Sequence, residues 1–440
     1  MCNRRAPVNL WVWLKTAPFF GSPIRLFPKQ AERWNRRQGE DVKRITPESS
    51  GVPILSWCTA AEEMTMDQAR NLSRHSRVFH HVALMADCHP GYGMPIGGVI
   101  ACLSAVIPYA VGVDIGCGMV AVKTGVASKE LSRNTLKVLV KELEKRVPTG
   151  EGHSHRSVQE WESFGRIPTW MKPRGRELAV KSLGTLGGGN HFMEVQGGDD
   201  GFVWLMVHSG SRNVGYRIAR HHHEKAVSDC RRRNESLPTE DLSFLRTDSR
   251  EGREYITDME FAMDYARENR RRLMKAFQEV FTEATGRDEF TGKVNIHHNY
   301  AGEEEHFGAK VWVHRKGATS AKVGELGIIP GSMGTFSYIV EGLGNPDSFC
   351  SCSHGAGRVM GRRAASRKLD PKECDRAMKG IVFRGWKKYR GYGRRKKEKT
   401  TSLDLSEAPA AYKDIGKVME AQKDLARPVV RLRPLAVVKG

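Results

Sequence analysis

Residues 111–119 read Val-Gly-Val-Asp-Ile-Gly-Cys-Gly-Met. Asp114 and Cys117 stand three residues apart between glycines at 112, 116 and 118, which let the backbone turn tightly and approach a ligand closely. The residues Ala105, Val106, Ile107, Ala110, Val111 and Val113 lead into them, so the pattern predicts a strand ending in a turn that presents the carboxylate and the thiol together. Such a turn suits a metal or a phosphate. Its alternative is a glycine-rich strand end around a buried structural cysteine.

Other stretches repeat the arrangement. Val82–Met85 reads as a strand running into Ala86-Asp87-Cys88-His89-Pro90-Gly91-Tyr92-Gly93. Four glycines in 184–189 precede Asn190-His191, after which Phe192, Met193 and Val195 resume a strand. Val203–Val207 is a buried strand delivering His208-Ser209-Gly210, and Lys293–Ile296 delivers His297-His298-Asn299. Ser353-His354-Gly355-Ala356-Gly357 sets one more histidine among residues too small to crowd a ligand.

Between these lies scaffold. Folded sequence is expected from near Pro53, with a helix over 62–72 whose apolar positions are Met64, Ala69 and Leu72. Leu136, Leu139, Val140 and Leu143 mark one face of an amphipathic helix over 131–146. Residues 149–177 read as a long polar connection, with His153 and His155 in solvent. Residues 217–282 read as charged helix, and the triplet His221–His223, pointing to different faces, as solvated surface. The closing Pro434–Gly440 reads as an apolar strand that fixes Lys439.

With 71 Lys and Arg against 50 Asp and Glu, the formal charge is +21 over 440 residues, which favours a polyanionic partner, nucleic acid first. No run approaches the roughly 20 apolar residues of a spanning helix, so no membrane role is expected. Nine scattered cysteines argue against a secreted disulfide scaffold and for a reducing cytoplasm. Residues 8–20 faintly imitate a signal peptide, but Lys15 interrupts the run and no small-residue cleavage site follows. Residues 1–50 are expected to be a poorly ordered extension and 51–440 one domain, with a basic insertion at about 384–400. In that insertion Trp386, Tyr389 and Tyr392 alternate with Arg and Lys; RNA contact and plain charged surface are equal readings of it.

Asp114, Cys117, His191, His208 and His298 are more donors than one four-coordinate site needs, which suggests two ions bridged by the Cys117 sulfur. Donor softness favours zinc, and the carboxylate leaves room for manganese. Metals beside glycine loops and cations fit phosphoryl chemistry. His354, not needed as a ligand, is then a base, a nucleophile that takes a phosphoryl group on nitrogen, or a core histidine.

DIGCGM, LGGGNHFMEV, VHSGSR, HHNY, WVHRKGAT, IPGSMGT, SHGAGR, EAPAAYKDI and the final VVKG, in this order from about Pro53 to Gly440, resemble the RtcB family of RNA ligases. The resemblance implies a single large α+β domain, with mixed and antiparallel sheets around a metal-containing cleft and flanking helices. It also implies two Mn(II) ions, GTP, and joining of RNA 3′-phosphate or 2′,3′-cyclic phosphate ends to 5′-hydroxyl ends, in RNA repair or tRNA splicing. By motif, the metal ligands fall on Asp114, Cys117, His191, His208 and His298, and the residue that becomes guanylylated on His354, oriented by Asp87. Guanylate contacts map to Asn190, Glu194, Ser332, Ser337, Gly357, Tyr412 and Lys439. Ala86 replaces the family's usual proline, Ser406 an aspartate, and Cys350 and Cys352 flank the nucleophile loop; with the loop after Asp87 this looks like a divergent bacterial branch associated with repair. The enzyme is expected to be a monomer, with an activating protein partner left open. The competing readings are a metal-dependent cyclic phosphodiesterase that does not seal, and an idle RNA-binding protein held by structural metal.

Overall fold

Strands recur wherever β-branched and apolar residues run between glycines, and they pair into two large sheets. In the computed structural model, which describes residues 43–45, 51–392 and 399–440, the architecture is α+β. Residues 1–42 and 46–50, most of the expected extension, and 393–398 of the basic stretch lie outside the described residues. The described residues fall in one unit, Val42–Gly440.

The seven-stranded sheet runs Phe290–His297, Gly118–Ala127, Phe202–Ser209, Phe192–Gly198, Ala426–Lys439, Ser337–Gly342, Leu326–Ile329, every neighbouring pair antiparallel. The six-stranded sheet runs Lys43–Ile45, Ile54–Ser56, Val78–His89, Ile96–Cys102, Ala309–Lys316, Asn299–His306; its second and third strands pair in parallel. Helices cover the sheets. Arg133–Arg146 starts at Ser132, whose hydroxyl accepts from the Thr135 N–H, and buries the four apolar residues expected of it. Arg250–Thr285, 36 residues long, is capped by the Ser249 hydroxyl and stopped by Gly286 at φ 69°. Its Leu273, Met274, Phe277, Val280 and Phe281 share one core with Val120, Leu205, Val207 and Val438 of the seven-stranded sheet.

Several expectations are corrected. The strand expected before Asp114 is only Ala105–Val106; Pro108 then opens a four-residue helix, Pro108–Val111, and the long strand begins after the turn, at Gly118. Met64 faces solvent at 62% exposure, whereas Ala69 and Leu72 are buried. The polar stretch 149–177 contains the start of a helix, Pro173–Ser182, and sends Ile167 and Met171 into a core. His221–His223 are not solvated. His221 stacks on Trp170 at 3.7 Å, His222 bonds Asp258 at 2.7 Å, and His223 stacks on Tyr109 at 3.6 Å. Three faces of one helix thus meet three separate partners.

Candidate metal centre and nucleophile pocket

Sheet register brings the expected donors to one end of the seven-stranded sheet. His208 lies opposite both Met119 and Phe192, Gly118 opposite both Ser209 and His297, and Lys439 opposite Phe192. Cys117 and His191 therefore sit just before two of these strands, and His298 just after a third. The Cys117 sulfur lies 3.5 Å from His191 Nε2 and 3.4 Å from His208 Nε2; His208 Nε2 lies 3.4 Å from His298 Nε2, and Asp114 Oδ2 3.4 Å from His191 Nε2. Cys117, His208 and His298 form one potential metal group, and Asp114, Cys117 and His191 another, with the sulfur common to both. Gly210 keeps space for the carboxylate: a Cβ there would lie 2.1 Å from Asp114 Oδ2.

The tautomers test the fit of a cation. His191 Nδ1 donates to the Leu186 carbonyl at 2.9 Å and His208 Nδ1 to the Asn190 carbonyl at 3.0 Å. Each Nε2 is then a bare lone pair, and these lone pairs face one another, a sulfur and a carboxylate. The Cys117 thiol has a single proton and can serve only one of the two imidazole lone pairs beside it, at 3.5 and 3.4 Å, which leaves the other and the Asp114 carboxylate facing acceptors; the residues present therefore fit metal ions. Electrostatics agree in direction. Burial pushes the imidazoles of His191, His208 and His298 down and holds them neutral. Burial would raise the Asp114 carboxyl, yet it is held below the usual range: with His191 neutral, the Ser211 N–H and hydroxyl, which donate to it at 3.0 and 2.8 Å, and the charge of Arg212 keep it an anion. Burial and Asp114 push the Cys117 thiol well up, so its thiolate form needs a cation beside it.

His354 comes from the loop after strand Ser351–Ser353, its ring centroid 4.9 Å from that of His298. Its Nδ1 meets Asp87 Oδ2 at 2.7 Å, and the Gly355 N–H donates to the same oxygen at 3.2 Å. Asp87 is wholly buried; burial would raise its carboxyl, yet the neighbouring His354 holds it below the usual range. The Asp87 anion therefore accepts a hydrogen bond from the His354 Nδ1–H and selects the tautomer whose lone pair is on Nε2. Gly357, at φ 71°, is needed for this approach, because a Cβ would come within 2.2 Å of the Asp87 carbonyl oxygen.

His354 opens on a pocket of about 180 Å³ lined also by Asn190, Glu194, Ser332, Gly357, Tyr412 and Lys439. Burial pushes Glu194 up to about 7, against the pull of Lys439 and Gln196. Ser337 stands behind this wall, 1% exposed, its hydroxyl accepting from the Gly331 N–H and from Gln196 Nε2, both at 3.2 Å. The structure does not bring it to the pocket surface.

Sequence reasoning missed the supports. Glu407 joins Arg358 at 3.2 Å, Arg362 at 3.0 Å, Lys439 at 3.2 Å and the Tyr412 hydroxyl. It lies inside the quoted EAPAAYKDI motif, where three cations distant in sequence gave no sign of their approach. Asn269 and Arg270, from the long helix, clamp the donor loops from behind. Asn269 bonds the backbone of Gly184, Thr185 and Gly210 and the Ser209 hydroxyl, while Arg270 bonds the carbonyls of Gly116 and Ser209.

Comparison with known proteins matches residues 68–167 and 157–440 to the family described as tRNA-splicing ligase RtcB. The chain is 37% identical over 423 residues to the RNA-splicing ligase RtcB of Escherichia coli (strain K12), across 90% of this chain and 99% of that one. It is 32% identical over 460 residues to the tRNA-splicing ligase RtcB of Pyrobaculum aerophilum, across 86% and 91%. To the RNA-splicing ligase RtcB of Mycobacterium tuberculosis it is 33% identical over 430 residues, across 81% and 96%.

Proposed function

The chain belongs to the RtcB family, and from that premise we propose that it is a GTP- and Mn(II)-dependent RNA ligase. It would seal 3′-phosphate or 2′,3′-cyclic phosphate ends to 5′-hydroxyl ends through a histidine–GMP intermediate. The observation that carries the reading is the Asp87–His354 pair, 2.7 Å long, beside the buried cluster of Asp114, Cys117, His191, His208 and His298.

Asp114, Cys117 and His191 would hold one ion, and Cys117, His208 and His298 the other, with sulfur as the shared ligand. Bound there, manganese would supply charge neutralisation at phosphate oxygens. The other steps fall to side chains. His354 Nε2 attacks the α-phosphorus of GTP, forming an N–P bond as the bond to pyrophosphate breaks; Asp87 holds the Nδ1 proton throughout and stabilises the ring as it gains positive charge. Asn190, Glu194, Ser332, Gly357, Tyr412 and Lys439 would seat the guanylate in the pocket they line, and Ser337 would act from behind it. An oxygen of the RNA 3′-phosphate then takes the guanylyl group and frees His354. The 5′-hydroxyl oxygen attacks the activated phosphorus, its proton is lost, and GMP leaves. A cyclic end must first be opened by water.

The experiment is incubation with Mn(II) and GTP labelled at the α-phosphate. A covalent adduct is expected with the intact protein, none with His354→Ala, and slower formation with Asp87→Asn by about 10- to 100-fold, the usual cost of losing an orienting partner. No adduct with the intact, folded protein sinks the reading.

A further inference from the structure

A second cavity, of about 560 Å³, opens beside the His354 pocket. The two share Met333, Arg362, Glu407 and Lys439 as a common wall. The cavity is also lined by Phe383-Arg384-Gly385-Trp386-Lys387, which lead into the basic aromatic stretch for which the sequence left RNA contact and plain surface level. Trp386 is half-buried and fixed: its Nε1–H donates to Asp375 Oδ1 at 2.8 Å, and its ring meets Phe383 edge-on with centroids 5.3 Å apart. An aromatic ring so held loses little freedom when a planar group stacks on it.

The rest of the lining is backbone-rich and close to charge-balanced. Gly188 and Gly189 leave the loop ahead of His191 bare, since a Cβ would come 2.7 Å from the Glu151 side chain at the first and 2.9 Å from the Arg362 guanidinium at the second. Three of the four lining acids are engaged: Glu407 by Arg358, Arg362, Lys439 and Tyr412, Glu144 by Arg384 at 3.5 Å, and Asp404 by the Ser406 N–H at 3.0 Å. An aromatic wall, exposed peptide groups and four acids balanced by four cations, Arg362, Arg384, Lys387 and Lys439, suit a nucleobase better than a bare phosphate, and the volume lies in the range of small-ligand sites.

We propose that this cavity receives a nucleobase of the RNA substrate, stacked on Trp386, next to the end being joined. The proposal rests on the ligase reading and adds where the RNA is held. Guanylate would occupy the smaller pocket, so the two cavities divide nucleotide and RNA between them across the wall of Glu407 and Lys439. Stacking is tolerant of base identity, so the cavity would grip either strand without reading sequence.

The test compares the full-length protein with Trp386→Ala and Trp386→Phe. Its readouts are Kd for fluorescently labelled oligoribonucleotides without GTP, KM and kcat for ligation, and the rate of GMP adduct formation without RNA. Trp386→Ala should weaken RNA binding and raise KM by about tenfold, at the low end of what loss of one stacked base costs, with kcat and adduct formation unchanged. Trp386→Phe should restore most of the loss. Separate oligonucleotides ending in a 3′-phosphate or beginning with a 5′-hydroxyl show which strand supplies the base, by which one loses affinity. Unchanged Kd for both strands overturns the proposal, as does slowed adduct formation with RNA affinity intact, which would assign the cavity to guanine. Failure of the ligase reading shows separately, as an intact protein that binds RNA but forms no adduct.

Discussion

Lys316 illustrates how much one residue near the site is made to bear. The residue is 5% exposed and its Nζ donates to the carbonyls of Tyr109, at 3.1 Å, and Tyr92, so it ties the loop after Asp87 to the short helix ahead of Asp114. Burial pushes it down to about 7 from an ordinary 10.5, with Asp241 pulling the other way. Between those values the unfolded chain keeps a proton that the folded chain has released, so folded stability gains from this residue as pH rises from about 7 towards 10. Chemical denaturation of the intact protein and of Lys316→Met should therefore diverge in slope over that window, with the intact protein gaining more. Parallel slopes would show that Lys316 does not lose its proton on folding. The same scale explains the histidine triplet: what decides His221, His222 and His223 is Trp170, Asp258 and Tyr109, and none of these is close enough in sequence to announce itself.

Elements whose partners are their own neighbours were legible. The helix Arg133–Arg146 declares itself by its periodicity and the strand before His208 by an unbroken apolar run, while the strand before His298 shows only the alternation of Val294 and Ile296 with Lys293 and Asn295. The turn at Asp114 was legible in chemistry and not in direction, because glycine and apolar residues lie on both sides of it and only pairing with Phe202–Ser209 shows that the strand follows. The loop of His354 and the residues that gather around Cys117 were readable as motifs; the Glu407 cluster and the Asn269–Arg270 clamp were not, since each joins segments far apart. The long helix is the element that makes the clamp possible. Phe277, fully buried against the same sheet, anchors it, and Phe277→Ala should cost about 3–5 kcal/mol in denaturant unfolding. A loss below about 1 kcal/mol would mean that the helix does not depend on this contact.

Over the whole molecule, the excess of 21 positive charges should act on any polyanion at long range. RNA affinity is therefore expected to fall by about tenfold between 50 and 200 mM KCl, the release of only a few counterions, and a Kd independent of salt would remove electrostatics from recognition. No helix among the described residues is long and apolar enough to cross a membrane. The donors at the sheet end have a consequence beyond chemistry. Cys117 is 74 residues from His191 and 91 from His208, so two ions meeting at its sulfur, one held with His191 and the other with His208, would each close a long loop of chain, as a cross-link does. Metal loading and maturation of the fold would then be a single event, and a cell short of the ion would accumulate a looser chain, open to proteases, instead of an intact enzyme waiting to be charged.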